Sequence, residues 1–149
     1  MLEVSKIRDH KINMVRGLEK RNLQASADLD EVLRLDEMRR KTQSDLDNLL
    51  SESNRLSKEI GALFQAGKQQ EANVLKAQTT HLKEQSKVLS DSLAETVDQL
   101  SDALLQLPNV PHESVKPGNS ADDNEEIFKD GDTPVLPISA LPHWELASK

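Results

Sequence analysis

Cysteine and tyrosine are absent from the 149 residues, and the remaining aromatics are two Phe and one Trp. Without cysteine there are no disulfides, no thiolate nucleophiles and no thiolate metal ligands. With so few aromatics, the large side chains that usually fill a globular core are missing. No apolar run approaches membrane-spanning length, and Met1-Leu2-Glu3-Val4-Ser5-Lys6 lacks the apolar segment of a secretory leader, so a soluble, cytoplasmic protein is expected. Histidines 10, 81, 112 and 143 share no ligand spacing, and neither a glycine-rich phosphate loop nor a nucleophile–base constellation occurs. No catalytic residue and no metal site are therefore expected. Proline is missing before residue 108, and all six prolines fall between Pro108 and Pro142.

What the chain does have is leucine at regular intervals. From Leu35 through Arg39, Thr42, Leu46, Leu49, Ser53, Leu56 and Ile60 to Leu63, the steps alternate four and three. A second run does the same through Leu75, Thr79, Leu82, Ser86, Leu89, Leu93, Thr96, Leu100, Ala103 and Leu107. That spacing keeps one stripe of a supercoiled helix facing a partner. The segment between the runs, residues 65–70 around Gly67, allows only an antiparallel return. Folding back there sets Leu63 opposite Leu75, Leu56 opposite Leu82, Leu49 opposite Leu89 and Ile60 opposite Thr79. It also sets Ser53 opposite Ser86 and Thr42 opposite Thr96, so polar seam residues meet polar ones. These polar layers read either as register markers or as points where the arm bends. The reading is an all-α fold: an antiparallel two-helix coiled-coil hairpin over 28–107, about 55 Å long at a rise of ~1.5 Å per residue.

Around this hairpin, residues 1–27 read as an N-terminal helix and connector. Asp9 is the expected N-cap of a helix running to about Arg21, with Ile12, Val15 and Leu18 on one face. Leu2, Val4 and Ile7 precede it in near alternation, and Gly17 weakens the helix. Asp28 and Glu31 resemble a capping box opening the first long helix, and Glu71 suits the start of the second. Pro108 ends the helix. Residues 108–142 read as an irregular, proline-containing acidic linker, and 143–149 as the first turns of a helix that begins a further domain.

Charge is distributed unevenly. The chain totals −7, yet residues 1–27 carry six basic and three acidic side chains, a net of +3. Residues 28–52 and 91–107 each total −4, residues 108–149 total −5, and the distal arm, 53–90, totals +3. In the heptad frame Lys76 and Lys83 take e positions facing Ser57 and Phe64, so neither meets a carboxylate across the seam. Lys87 has only Glu84 nearby. Such lysines are free to neutralise phosphates, or they simply keep a thin arm solvated. Arg55 has Glu59 four residues on, which can hold it. Arg39 sits on the seam opposite Leu100 as a snorkelling residue, while Arg40 and Lys41 are expected to point outward. The candidate phosphate-binding residues are Arg55, Lys58, Lys76, Lys83, Lys87, Arg40 and Lys41.

A family resemblance rests on specific stretches. Pro108-Asn109-Val110-Pro111-His112-Glu113-Ser114-Val115, then Pro117-Gly118 and Asp123-Asn124-Glu125, resembles the junction segment of seryl-tRNA synthetases. Asn54-Arg55-Leu56-Ser57-Lys58-Glu59-Ile60-Gly61 is similar to a stretch of that family's helical arm. His143-Trp144-Glu145-Leu146 is similar to the entry of its catalytic domain. Lys116, between Val115 and Pro117, departs from the usual pattern. The resemblance implies the N-terminal tRNA-binding arm of a class II, homodimeric ligase that uses ATP and Mg²⁺ to attach serine to tRNA. It further implies recognition of the long variable arm and elbow of serine and selenocysteine tRNA. It places the catalytic machinery after Lys149, leaving this chain inactive, without a cofactor and monomeric. The rival reading is a chaperone-like hairpin that binds proteins through exposed apolar residues such as Phe64 and Val74.

Overall fold

In the computed structural model, which describes residues 2–132 and 134–147, three helices carry the fold: α1 (Val4–Glu19), α2 (Ser26–Gln65) and α3 (Gln69–Gln106). Met1, Ser148 and Lys149, which belong to the first and last segments of the sequence reading, lie outside the described residues. The 40 residues of α2 and 38 of α3 pack along each other as the expected antiparallel coiled-coil hairpin, and α1 packs on α2 at its base. The reversal occurs at Ala66-Gly67-Lys68. Gly67 takes φ 74°, its N–H donates to Phe64 O, and the Lys68 N–H donates to Leu63 O. That paired closure satisfies the last carbonyls of α2 and needs a residue tolerant of the left-handed conformation.

The seam explains why the helices stay together. Leu46, Ser53 and Leu56 of α2 and Ala72, Thr79, Ser86 and Thr96 of α3 are buried along the arm. Grooves beside the seam are lined jointly by Leu56 and Leu82, by Leu49 and Leu89, and by Ile60 and Thr79, the pairs expected from the heptads. On α3 the buried hydroxyls are satisfied within their own helix. Thr79, Ser86 and Thr96 donate their hydroxyls to the carbonyls of Leu75, Leu82 and Ser92 in the preceding turn, at 2.9, 2.8 and 2.8 Å. Their small size is what the seam uses, and the back-bonded hydroxyl removes the penalty of burial.

The base differs from expectation at several points. Helix α1 begins at Val4, not after Asp9, and ends at Glu19. Asp9 therefore lies inside the helix and caps nothing. His10, beside it, leaves helical geometry at φ −133° and ψ 30°. The buried face runs through Ile7 and Leu18 with Met14 and Val15 beside them, and Ile12, about 120° round the helix from Leu18, turns outward. Leu2 and Val4 pack against this cluster. Helix α2 starts at Ser26 and has no side-chain cap; Asp28 lies in its first turn and Glu31 pairs with Arg34 at 2.7 Å, so the capping box does not form. The cluster gathers Ile7, Leu18, Ala25, Leu29, Val32, Leu35, Leu100, Leu104 and Leu107 from all three helices.

A buried carboxylate fixes α1 to α2 at the edge of this cluster. Asp36 is 2% exposed and accepts from Arg8 of α1 and from Arg39 and Arg40 of its own helix. Arg39 is thus not a lone snorkelling residue, and Arg40, half exposed, also bonds Asp36. Burial by itself would raise the Asp36 pKa, but hydrogen bonds from Arg39 and Arg8, with their charges, outweigh it and hold the carboxyl below its usual range.

Beyond α3, residues 109–118 fold back on the end of α1. Lys20 Nζ donates to Glu113 O at 2.6 Å and Val115 O at 3.0 Å, Arg21 donates to Asn109 O, and the Gly118 N–H returns to Lys20 O. Val110 packs on the core, and a β-carbon at Gly17 would overlap its Cγ1. Gly17 thus does more than weaken α1: it makes room for the returning chain. A 3₁₀ turn, Ala121–Asp123, follows, in which N–H groups of Asn119 and Ser120 hold the Asp123 carboxyl below its usual range. Val135, Leu136 and Ile138 are exposed, and a short α4 spans His143–Leu146.

Two outcomes are expected. Asp36→Asn leaves three arginines around a group that cannot balance them, costing about 3 kcal/mol in urea unfolding. Because the Asp36 pKa is lowered on folding, its contribution is complete above the ordinary carboxylate range and disappears as pH falls through the lowered value. Acid should therefore destabilise the unmodified chain more steeply than the Asn variant, and parallel pH profiles would contradict this. Gly17→Ala gains about 1 kcal/mol of helix propensity but forces Val110 out, so proteolysis within 112–132 should quicken. Adding Val110→Ala should slow it again; equal cleavage in all three proteins would contradict the contact.

Candidate nucleic-acid interface

Because the arm is only two helices thick, its off-seam positions form two long edges, and the structure gives them opposite character. In an antiparallel pair, e positions meet e positions on one side and g positions meet g positions on the other. The e-side groove near the tip is lined by Ser57, Ile60, Phe64, Lys76, Thr79, Thr80 and Lys83. It contains no carboxylate. The g-side groove, in two parts, is lined by Asp45, Asn48 and Glu52 of α2 and by Gln78, His81, Glu84, Gln85 and Val88 of α3, among others.

The seven candidate residues divide between these surfaces. Lys76 and Lys83 lie together in the e-side groove, and Lys87 follows Lys83 by one helical turn on the same face. None of the three side chains has a hydrogen-bond or ion-pair partner among the described residues. Glu84, the one carboxylate expected near Lys87, approaches His81 instead, at 4.0 Å. Lys58 is exposed and likewise unpaired, one position past Ser57 toward the back of α2.

Arg55 stands apart. It bonds both oxygens of Glu52, at 2.7 and 2.8 Å, and Glu59 at 3.2 Å. Glu59 is the partner the sequence suggests; Glu52, three residues back and on the g side, escapes that reading although an i, i+3 search would have found it. The guanidinium hydrogen bond and charge push the Glu52 pKa down, and the same contacts push that of Arg55 up. Lys41 belongs to the stem, seven residues before Asn48 of the g-side groove. Arg40 is engaged by Asp36 at 3.0 Å. The structure thus brings three of the candidates together, leaves Lys58 nearby, and separates Arg55, Lys41 and Arg40 from them.

Phe64 is 46% exposed inside the lysine-lined groove. Val74 is also exposed, but it lies seven residues before His81, on the g side. The tip therefore offers no continuous apolar patch of the kind a protein-binding hairpin presents. No helix of the described residues is long and apolar enough to cross a membrane, and no three His, Asp or Glu side chains among them converge on a metal-sized site.

A family model described as the Seryl-tRNA synthetase N-terminal domain matches residues 1–111. The chain is 33% identical over 149 residues to the serine–tRNA ligase of Salinibacter ruber, covering all of this chain and 35% of that protein. It is 34% identical to that of Carboxydothermus hydrogenoformans, again over the whole chain, and 36% identical to that of Haloarcula marismortui over 98% of it. A crystal structure of seryl-tRNA synthetase from Pyrococcus horikoshii complexed with ATP superposes with a TM-score of 0.72 at 28% identity, covering 83% of this chain and 28% of that one. The chain spans about a third of the length of the curated relatives it matches.

Proposed function

We propose, on the premise that this chain belongs to the seryl-tRNA synthetase N-terminal domain family, that it is the tRNA-binding arm of a serine–tRNA ligase. The observation that carries the reading is the cluster of unpaired Lys76, Lys83 and Lys87 at the end of a stiff, otherwise acidic arm. Bound counterions released from RNA phosphates supply the affinity, and the reach of the arm supplies selection by shape. The target is serine tRNA, and selenocysteine tRNA with it, engaged at the elbow and long variable arm. Serine attachment with ATP and Mg²⁺ belongs to the portion of the relatives that this chain does not span; by itself the chain binds RNA in the cytoplasm and catalyses nothing. The full-length ligase is a homodimer, whereas this chain is a monomer, which sedimentation should read as a single small species.

Arg55 contributes through the rigidity of α2, since its guanidinium is occupied by two carboxylates. Lys58 adds long-range attraction. The chaperone-like reading is disfavoured because Phe64 shares its groove with Lys76 and Lys83 and Val74 lies on the other edge.

Titration with serine tRNA at several salt concentrations tests the proposal. Binding should fall steeply with salt, and changing Lys76, Lys83 and Lys87 together to Ala should reduce the slope by about 3. Serine tRNA lacking its variable arm should bind more weakly. Equal affinity for both RNAs would overturn the selective reading, and an unchanged slope would overturn the role of the tip.

A further inference from the structure

Beside the basic groove stands a residue that the fold itself does not require. Gly61 lies in the interior of α2, where glycine is about 1 kcal/mol less favourable than alanine. At Gly17 the returning chain explains the missing side chain; at Gly61 nothing stands within 4 Å of where a β-carbon would be. Its backbone is ordinary helix, so an alanine would fit without strain. Gly61 lies one turn beyond Ser57 and three residues before Phe64, both of which line the e-side groove. The one open, side-chain-free patch of this stretch thus adjoins the unpaired lysines and the half-exposed aromatic ring.

We propose that RNA is taken by this single edge of the arm, with its sugar–phosphate backbone laid against Gly61 between Lys76 and Lys83, and an unstacked base on the face of Phe64. The inference rests on the RNA-binding reading above and adds to it a side and a contact geometry. Phosphate attraction accounts for the lysines, a close backbone approach accounts for the glycine, and base stacking accounts for an aromatic residue left half in water. Ser57 and Thr80, which line the same groove, donate their hydroxyls to Ser53 O and Lys76 O and keep lone pairs for sugar hydroxyls. The opposite edge repels the same ligand, because Asp45, Glu52 and Glu84 line it.

The test uses the whole chain and a serine tRNA transcript, with helicity and melting temperature measured alongside affinity. Gly61→Ala should raise the melting temperature by a few degrees, as a better helix former, and yet weaken tRNA binding severalfold. A purely structural glycine would not separate the two. Gly61→Glu and Gln78→Glu introduce the same negative charge at the same height on opposite edges. The first should cost tenfold or more in affinity, and the second less than twofold. Phe64→Leu, which keeps apolar cover, should cost about tenfold through lost stacking. Unchanged binding by Gly61→Ala, or equal losses from the two Glu variants, would overturn the edge while leaving RNA binding by the arm intact. If the unmodified chain does not bind the transcript, the functional reading fails and this inference fails with it.

Discussion

Two helices packed only on each other can bury one stripe of each, and beyond the base this arm has no third layer. Its only core is the line of leucines and small hydroxyl residues along α2 and α3. Everything off that line faces water, so stability and function are carried by different residues of the same helix. The seam sets length and stiffness, and the edges are free to vary in charge. This is why Lys76 and Lys83 can remain unpaired at little cost: they are held in place by neighbours at seam positions, not by counter-ions.

At the base, the constraint is relieved by a third helix and a returning stretch of chain. Asp36 ties α1 to α2 through Arg8, while the hydrophobic cluster and the Gly17–Val110 contact close the other side. An arm that reaches several nanometres needs such a mount, since a small rotation at the base becomes a large displacement at the tip. The basic residues near the base are engaged in building this mount. Asp36 holds Arg8, Arg39 and Arg40, and backbone carbonyls of residues 109–115 hold Lys20 and Arg21. The net positive charge of residues 1–27 is therefore largely structural, whereas Lys76, Lys83 and Lys87 near the tip have no partner among the described residues.

The hairpin and its register are legible in the sequence because heptad spacing repeats over many turns and each helix checks the other. Local rules serve less well where contacts are long-range. The start of α1 escapes them because Leu2, Val4 and Ile7 are held by the cluster they pack into and not by a local cap. Nothing in residues 28–52 marks Asp36 as buried until Arg8 is known to lie against it. Gly17 is merely a weak helix residue until Val110 is placed beside it. For the interface, the e positions of Lys76 and Lys83 place both in one groove, as the structure has them, but Arg55 and Arg40 are candidates by charge alone, and the fold engages both. Phe64, by sequence a mark of the rival function, lies among the lysines.

The central claim is that RNA is held by the tip of the arm and not by the basic residues at its base. Lysine acetylation of the chain with and without serine tRNA, read residue by residue by mass spectrometry, tests it directly. The account predicts that Lys76, Lys83 and Lys87 lose reactivity when tRNA is added, while Lys6, Lys11 and Lys116 keep theirs. Protection of the base lysines, or protection spread evenly along the chain, would contradict it.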